Sequence, residues 1–149
     1  MPFFTLPIDA DGPILNLVVA VTEERIEALT KAGQPIPQPQ VIRAMIDTGA
    51  SHLHIDPRVF HALQLTPTGQ TTVNTASSGD TPHVADQYDV AIAIPGAAQD
   101  HPPLILGTVP ATTCDLRAVP GFNALIGRHV LNNCVLIYNG SSGVFTLAY

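Results

Sequence analysis

Val41-Ile42-Arg43-Ala44-Met45-Ile46-Asp47-Thr48-Gly49-Ala50-Ser51 decides how this chain is read. Its first six residues are apolar but for Arg43 and include the β-branched Val and Ile that suit a pleated strand. The run then stops at an aspartate followed by Thr-Gly, residues that turn a chain. A strand that ends on a carboxylate is either ordinary turn capping or a rigid arm carrying a reactive group, and the flanking sequence decides between the two.

Upstream, residues 14–21 are rich in Leu and Val and bounded by Gly12-Pro13, the pattern of a strand buried on both faces. Residues 22–33 change character. Thr22 suits an N-cap, Glu23 and Glu24 suit the positive end of a helix dipole, Ile26 and Leu29 share a face, and Gly33 can close the C-terminus. Gln34-Pro35-Ile36-Pro37-Gln38-Pro39-Gln40 alternates proline with other residues, which favours an extended polyproline II connector. The strands 14–21 and 41–46 are therefore expected to form a hairpin with a helical, proline-rich insertion at about 22–40.

Downstream, Asp56-Pro57 supplies an N-cap and an N1 proline for a short helix through Leu63. Residues 71–75 and 84–94 flank Ala76-Ser77-Ser78-Gly79-Asp80, and Tyr88, Val90, Ile92 and Ile94 alternate with smaller or polar residues as a half-buried strand should. That predicts a hairpin with a small-residue tip. Leu104-Ile105-Leu106 is a short strand, and residues 110–121 read as loop. Ala124-Leu125-Ile126 runs into Gly127-Arg128, and the chain closes with strands at 134–138 and 144–149 around Asn139-Gly140, a strong hairpin signal. There is no internal repeat and no second Asp-Thr-Gly.

Length and composition bound the function classes. The 149 residues suffice for one domain with a sizeable core, expected over 1–149. A 46% hydrophobic content with only 12% charged residues excludes a disordered chain, and 14 prolines with 11 glycines favour many turns and a β-rich fold. A net charge of −6 with scattered basic residues argues against nucleic acid. The apolar run 13–21 is too short to span a bilayer, and Asp9 and Asp11 precede it where a signal peptide carries Lys or Arg. A cytoplasmic protein with no membrane partner is expected. Its two thiols, Cys114 and Cys134, then read as small buried hydrophobes.

An apolar strand running into Asp47-Thr48-Gly49-Ala50-Ser51, a flap-like hairpin around Ser77 to Gly79, and Ala124-Leu125-Ile126-Gly127-Arg128 in that order resemble the retropepsins, the single-domain dimeric branch of the aspartic proteases. The resemblance implies an all-β fold, a closed β-barrel or sandwich with a flap hairpin and one or two short helices. It also implies an aspartic endopeptidase without cofactor. Hydrolysis without a metal or covalent nucleophile needs one group to take a proton from water while another polarises the carbonyl, and two carboxylates sharing one proton do both. With one Asp-Thr-Gly per chain, the second carboxylate comes from Asp47 of a two-fold related copy, so the active species is a homodimer acting on a peptide or protein.

By the same resemblance Thr48 bonds across the dimer axis, Gly49 lets substrate backbone approach, Ala50 and Ser51 line the cleft, and Ala76, Ser77, Ser78 and Gly79 cover the bound peptide. Ile126, Gly127 and Arg128 give structural support. Two positions depart from the family pattern. Ser51 stands where retroviral enzymes place an acid that pairs with the arginine, leaving Arg128 to use Asp56 or a backbone carbonyl. His129 follows where Asn or Asp is common.

Rival chemistries are weaker. Ser51, His52, His54 and Asp56 are the residue types of a hydrolytic triad but lie too near in sequence on an extended segment to converge. His52 and His54 share a strand face without a third ligand suitably spaced for a metal. They are expected at the surface or the cleft edge. The rival from another class is a non-catalytic module of the same fold that dimerises and grips peptides or proteins.

Overall fold

The computed structural model describes residues 1–74, 79–96, 101–116 and 121–149, so Ala76, Ser77 and Ser78 of the expected flap tip lie outside the described residues. In chain order the elements are β1 (Phe3–Pro7), β2 (Ile14–Ala20), α1 (Glu23–Lys31), β3 (Gln40–Ile46), β4 (Leu53–Ile55), α2 (Pro57–Ala62) and β5 (Gly69–Val73). There follow β6 (His83–Ile94), β7 (Leu104–Thr113), β8 (Ala124–Ile126), α3 (Arg128–Leu131), β9 (Val135–Asn139) and β10 (Val144–Ala148).

The larger sheet runs β2-β3-β8-β4-β7-β6-β5, and an added β2–β6 pairing closes its first six strands into a barrel with β5 appended. The β-barrel expected from the sequence is thus the observed architecture. Leu17, Val19, Leu53, Ile55, Val90 and Ile126 point into its core, each essentially inaccessible. Burying an aliphatic side chain of this size contributes about 1.5–3 kcal/mol, so the inward face of each strand fixes its register.

β2 and β3 pair antiparallel from Ile14 opposite Met45 to Val19 opposite Gln40. The hairpin carries α1 at its tip, as expected. Thr22 caps α1 by accepting from the Arg25 amide at 3.3 Å, and no residue of the helix is buried. Asp56 caps α2 with Pro57 in the first turn. β5 and β6 form the second expected hairpin, in register from Gly69 opposite Gln87 to Val73 opposite His83.

Two expectations need correction. The short strand at Leu104–Leu106 is the start of a ten-residue strand that continues through Pro110 to Thr113. Proline reads as a break because it lacks an amide donor, yet its fixed φ is compatible with extended backbone. Past Pro110 the strand gains a second neighbour, because Ala111, Thr112 and Thr113 pair in parallel with Leu53, His54 and Ile55. Residues 110–113, read as loop, are therefore barrel wall.

The second correction is β1, which sequence reading did not find. Its Phe4 is buried while Phe3 and Thr5 are exposed, and it pairs antiparallel with β10, Phe3 opposite Ala148 through Pro7 opposite Val144. With β9 it makes a separate three-stranded sheet, order β1-β10-β9, whose Phe145 and Leu147 pack into the common core.

Candidate active site

The parallel pairing of β3 with β8 sets Ala44, Met45 and Ile46 beside Ala124, Leu125 and Ile126. The two strands end together, and each delivers a different group: β3 delivers Asp47, β8 delivers Gly127-Arg128. The Asp47 amide donates to Ile126 O at 3.0 Å, which ties the start of the loop to the end of β8. Within the turn the Ala50 amide donates to Asp47 O at 3.2 Å, and the Gly49 amide donates to Asp47 Oδ1 at 2.9 Å.

The next four carbonyl groups of this loop are all held from the α3 side. Arg128 Nη1 donates to Thr48 O at 2.7 Å and to Gly49 O at 3.0 Å. The Arg128 amide donates to Ala50 O at 2.9 Å and the His129 amide to Ser51 O at 3.0 Å. Arg128 Nη2 completes the clasp by donating to Ser51 Oγ at 2.8 Å. The guanidinium fork therefore orients the loop behind Asp47 without an acidic partner.

Of the partners open to Arg128, the backbone carbonyl is the one it uses, joined by the Ser51 hydroxyl. Asp56 is engaged elsewhere, accepting from Arg58 Nε at 2.8 Å and from the Leu116 amide at 3.2 Å. Gly127 is required by close approach: a Cβ there would collide with the His52 carbonyl oxygen and stand 2.8 Å from Ala50 O.

Asp47 opens onto a cavity of about 780 Å³, walled on the loop side by Gly49, Ala50, Ser51 and His52 and on the hairpin side by Thr72, Val73, Asn74 and His83. Asp47, Gly49, Ala50 and Ser51 thus line one cavity. Thr48 is exposed and Ile126 is buried in the core beneath the loop. Gly79 is exposed with φ +56°, a conformation glycine adopts without strain.

Of the two places expected for His54, the surface and the cleft edge, it takes the cleft, but buried. Rather than standing at the surface it is 8% exposed, its Nδ1 2.6 Å from Thr112 Oγ1 on the neighbouring strand, and it contributes to the cavity wall. Burial, aided by the like charge of His52, holds its imidazole below the usual pKa, against the opposing pull of Asp47. Sequence reading missed Thr112 altogether. Among the described residues no three His, Cys, Asp or Glu side chains gather as a metal set.

Both cysteines are free and half-buried rather than fully buried. Cys114 lies in the cavity wall, where burial and the neighbouring Asp115 push its thiol pKa up and keep it protonated.

The sequence matches the aspartyl protease family over residues 32–116, more than half of the chain, and the chain belongs to that family. Its retropepsin-like architecture is similar to that of a retropepsin-like aspartic protease from Rickettsia conorii, with a TM-score of 0.59 at 13% identity over 99% of this chain and 90% of that one. At that identity the likeness speaks for the fold. No curated protein matches in sequence. Among the described residues no helix is long and apolar enough to cross a membrane.

Proposed function

We propose that the chain, acting as one domain, is a homodimeric aspartic endopeptidase in which two Asp47 carboxylates, one from each copy, activate the water that cleaves a peptide bond. The observation that carries this reading is the setting of Asp47: one oxygen held by the Gly49 amide at 2.9 Å, the group opening onto a cavity large enough for peptide side chains. A carboxylate so lightly engaged is available for proton transfer, while the clasp at Arg128 keeps the loop rigid.

In the proposed reaction one carboxylate takes a proton from water as the water oxygen attacks the carbonyl carbon. The carboxyl of the other copy gives its proton to the carbonyl oxygen, producing a neutral gem-diol. Collapse of that intermediate hands a gem-diol hydroxyl proton back to the ionised carboxylate as the carbonyl re-forms, breaks the C–N bond and passes the proton taken from water to the departing amine nitrogen, so the pair ends with one proton as it began. Gly49, Ala50 and Ser51 flank the substrate backbone, Thr48 meets its counterpart across the two-fold axis, and the β5–β6 hairpin lies over the bound peptide.

The test is mass against turnover. Sedimentation across a dilution series, with cleavage of a diverse peptide mixture followed in parallel and inhibition sought with a statine peptide, is expected to show activity tracking dimer. Full specific activity in a strictly monomeric sample overturns the paired-carboxylate mechanism. A dimer that binds peptides at the cleft and cuts none would identify a binding module instead.

A further inference from the structure

The cavity beside Asp47 exposes more apolar than polar surface, with Pro57, Val73 and Leu125 its larger aliphatic residues, so each polar group in its wall is a distinct point of recognition. Within that wall His54 is unusual because it is both buried and oriented. It sits on β4 between β8 and β7, directly opposite Thr112, which is 1% exposed. The 2.6 Å approach of Thr112 Oγ1 to Nδ1 fixes the ring plane and occupies one nitrogen.

The other nitrogen, Nε2, has no protein partner, yet no buried side-chain nitrogen or oxygen among the described residues is left unsatisfied. Nε2 therefore keeps accessible surface, on a residue that lines the cavity. The His52 ring stands beside it, centroid to centroid 6.4 Å and nearly perpendicular at 86°.

Which substrate side chain suits this wall follows from charge and hydrogen bonding. Burial favours the neutral form of His54, so it offers a hydrogen bond rather than a full positive charge. Asp47 and Asp115 line the same cavity and the chain carries a net charge of −6, which disfavours a carboxylate. An aliphatic side chain would displace water from Nε2 and offer nothing in return. A carboxamide both donates and accepts, so it satisfies Nε2 in either tautomer.

We propose that His54, held by Thr112, is a specificity-determining residue that selects a glutamine or asparagine side chain of the substrate close to the bond to be cut. The inference rests on the cleft being a peptidase cleft. Sites built to hydrogen-bond a side chain reject its apolar analogue far more strongly than apolar pockets discriminate by size.

The experiment takes a peptide selected from a cleaved mixture and varies each residue flanking the scissile bond among Gln, Met and Glu. Cleavage is compared for the wild-type chain, His54→Leu, His54→Gln and Thr112→Val. At one flanking position the wild type is expected to favour Gln over Met and Glu by about tenfold or more in kcat/KM. His54→Leu should lose that preference or reverse it toward Met, and His54→Gln, which restores a polar atom near the position of Nε2, should keep it. Thr112→Val, which frees the ring, should narrow it, and carries the comparison should His54→Leu fail to fold.

Intact cleavage with Met preferred by the wild type, or with the same Gln preference after His54→Leu, overturns this inference and leaves the peptidase standing. If no peptide is cut, the peptidase reading fails, and the subsite is decided by calorimetry of the Gln, Met and Glu variants of a peptide selected from the mixture by its binding to the Asp47→Asn chain. Equal affinity for Gln and Met peptides there overturns it, and tighter binding of the Gln peptide supports the carboxamide site.

Discussion

Asp47 and Asp56 stand at the two ends of one short passage of chain, and the same side chain meets opposite treatment. Asp56 is 1% exposed and fully engaged: Oδ1 accepts from the Arg58 amide at 3.0 Å and from Arg58 Nε at 2.8 Å, and Oδ2 from the Leu116 amide and Arg58 Nη2, each at 3.2 Å. Asp47 accepts from the Gly49 amide and otherwise opens onto the cavity. A carboxylate whose lone pairs are all occupied joins elements together. One held by a single amide, on a loop fastened from behind, keeps lone pairs for chemistry.

The sharpest way to break this contrast is to remove each charge in turn. Asp47→Asn keeps the size of the side chain and its bond to Gly49 but, in the proposed dimer, removes both carboxylates at once. Turnover is expected to fall by about 10³-fold or more, with stability changed by less than about 1 kcal/mol. Peptide cleavage and urea unfolding of the same preparation check both halves. Undiminished cleavage by the Asn variant would falsify the assignment of Asp47 as the catalytic residue.

Gly127→Ala tests the loop's fastening rather than its charge. The new methyl would be driven into the His52 and Ala50 carbonyl oxygens, both backbone atoms that cannot swing aside. Overpacking of this kind typically costs about 1–3 kcal/mol and would part the α3 clasp from the Asp47 loop. Activity should fall with stability, since Arg128 and His129 hold the four carbonyls that follow Asp47. A variant as stable and active as the parent would show the close approach to be unimportant.

Parts of this arrangement were legible in sequence because they are local. The run from Val41 to Asp47, the Thr22 and Asp56 caps, and the hairpin at Asn139-Gly140 each announce themselves within a few residues, and the structure forms all of them. The family resemblance pointed to Arg128 as support for the loop but left Asp56 and a backbone carbonyl both open as its partner, because its acceptors are mainly backbone carbonyls that no side-chain pattern encodes. β1 and the far half of β7 were not read because their partners are remote: Phe3 pairs with Ala148, and Ala111 with Leu53. His54 beside Thr112 shares that difficulty. The two are 58 residues apart and meet only through the parallel register of β4 and β7.

The gentlest test of the contrast is the acid dependence of stability at Asp56. Hydrogen bonding from the Arg58 side chain, helped by the backbone amides of Arg58 and Leu116, holds this carboxyl below the ordinary aspartate pKa despite its burial. An aspartate in the unfolded chain titrates near 3.9, so as pH falls through about 4 the unfolded state takes up its proton first. The stabilisation from Asp56 is therefore complete above about pH 5 and is lost progressively as pH drops through 4 toward the depressed folded value. Asp56→Asn cannot titrate, and its amide must set a donor against either Arg58 or Leu116, a change worth about 2 kcal/mol near neutrality. Subtracting variant from wild type cancels the other titrating groups, including the exposed Asp9 paired with Arg43 and the buried His54, whose effect falls in a higher pH window. Urea unfolding of both chains at one concentration should give a constant stability gap from pH 8 to pH 5 that narrows toward pH 3. A gap that stays level below pH 4 would mean that Asp56 is not the acid-sensitive clamp, and its difference from Asp47 would lie in position alone.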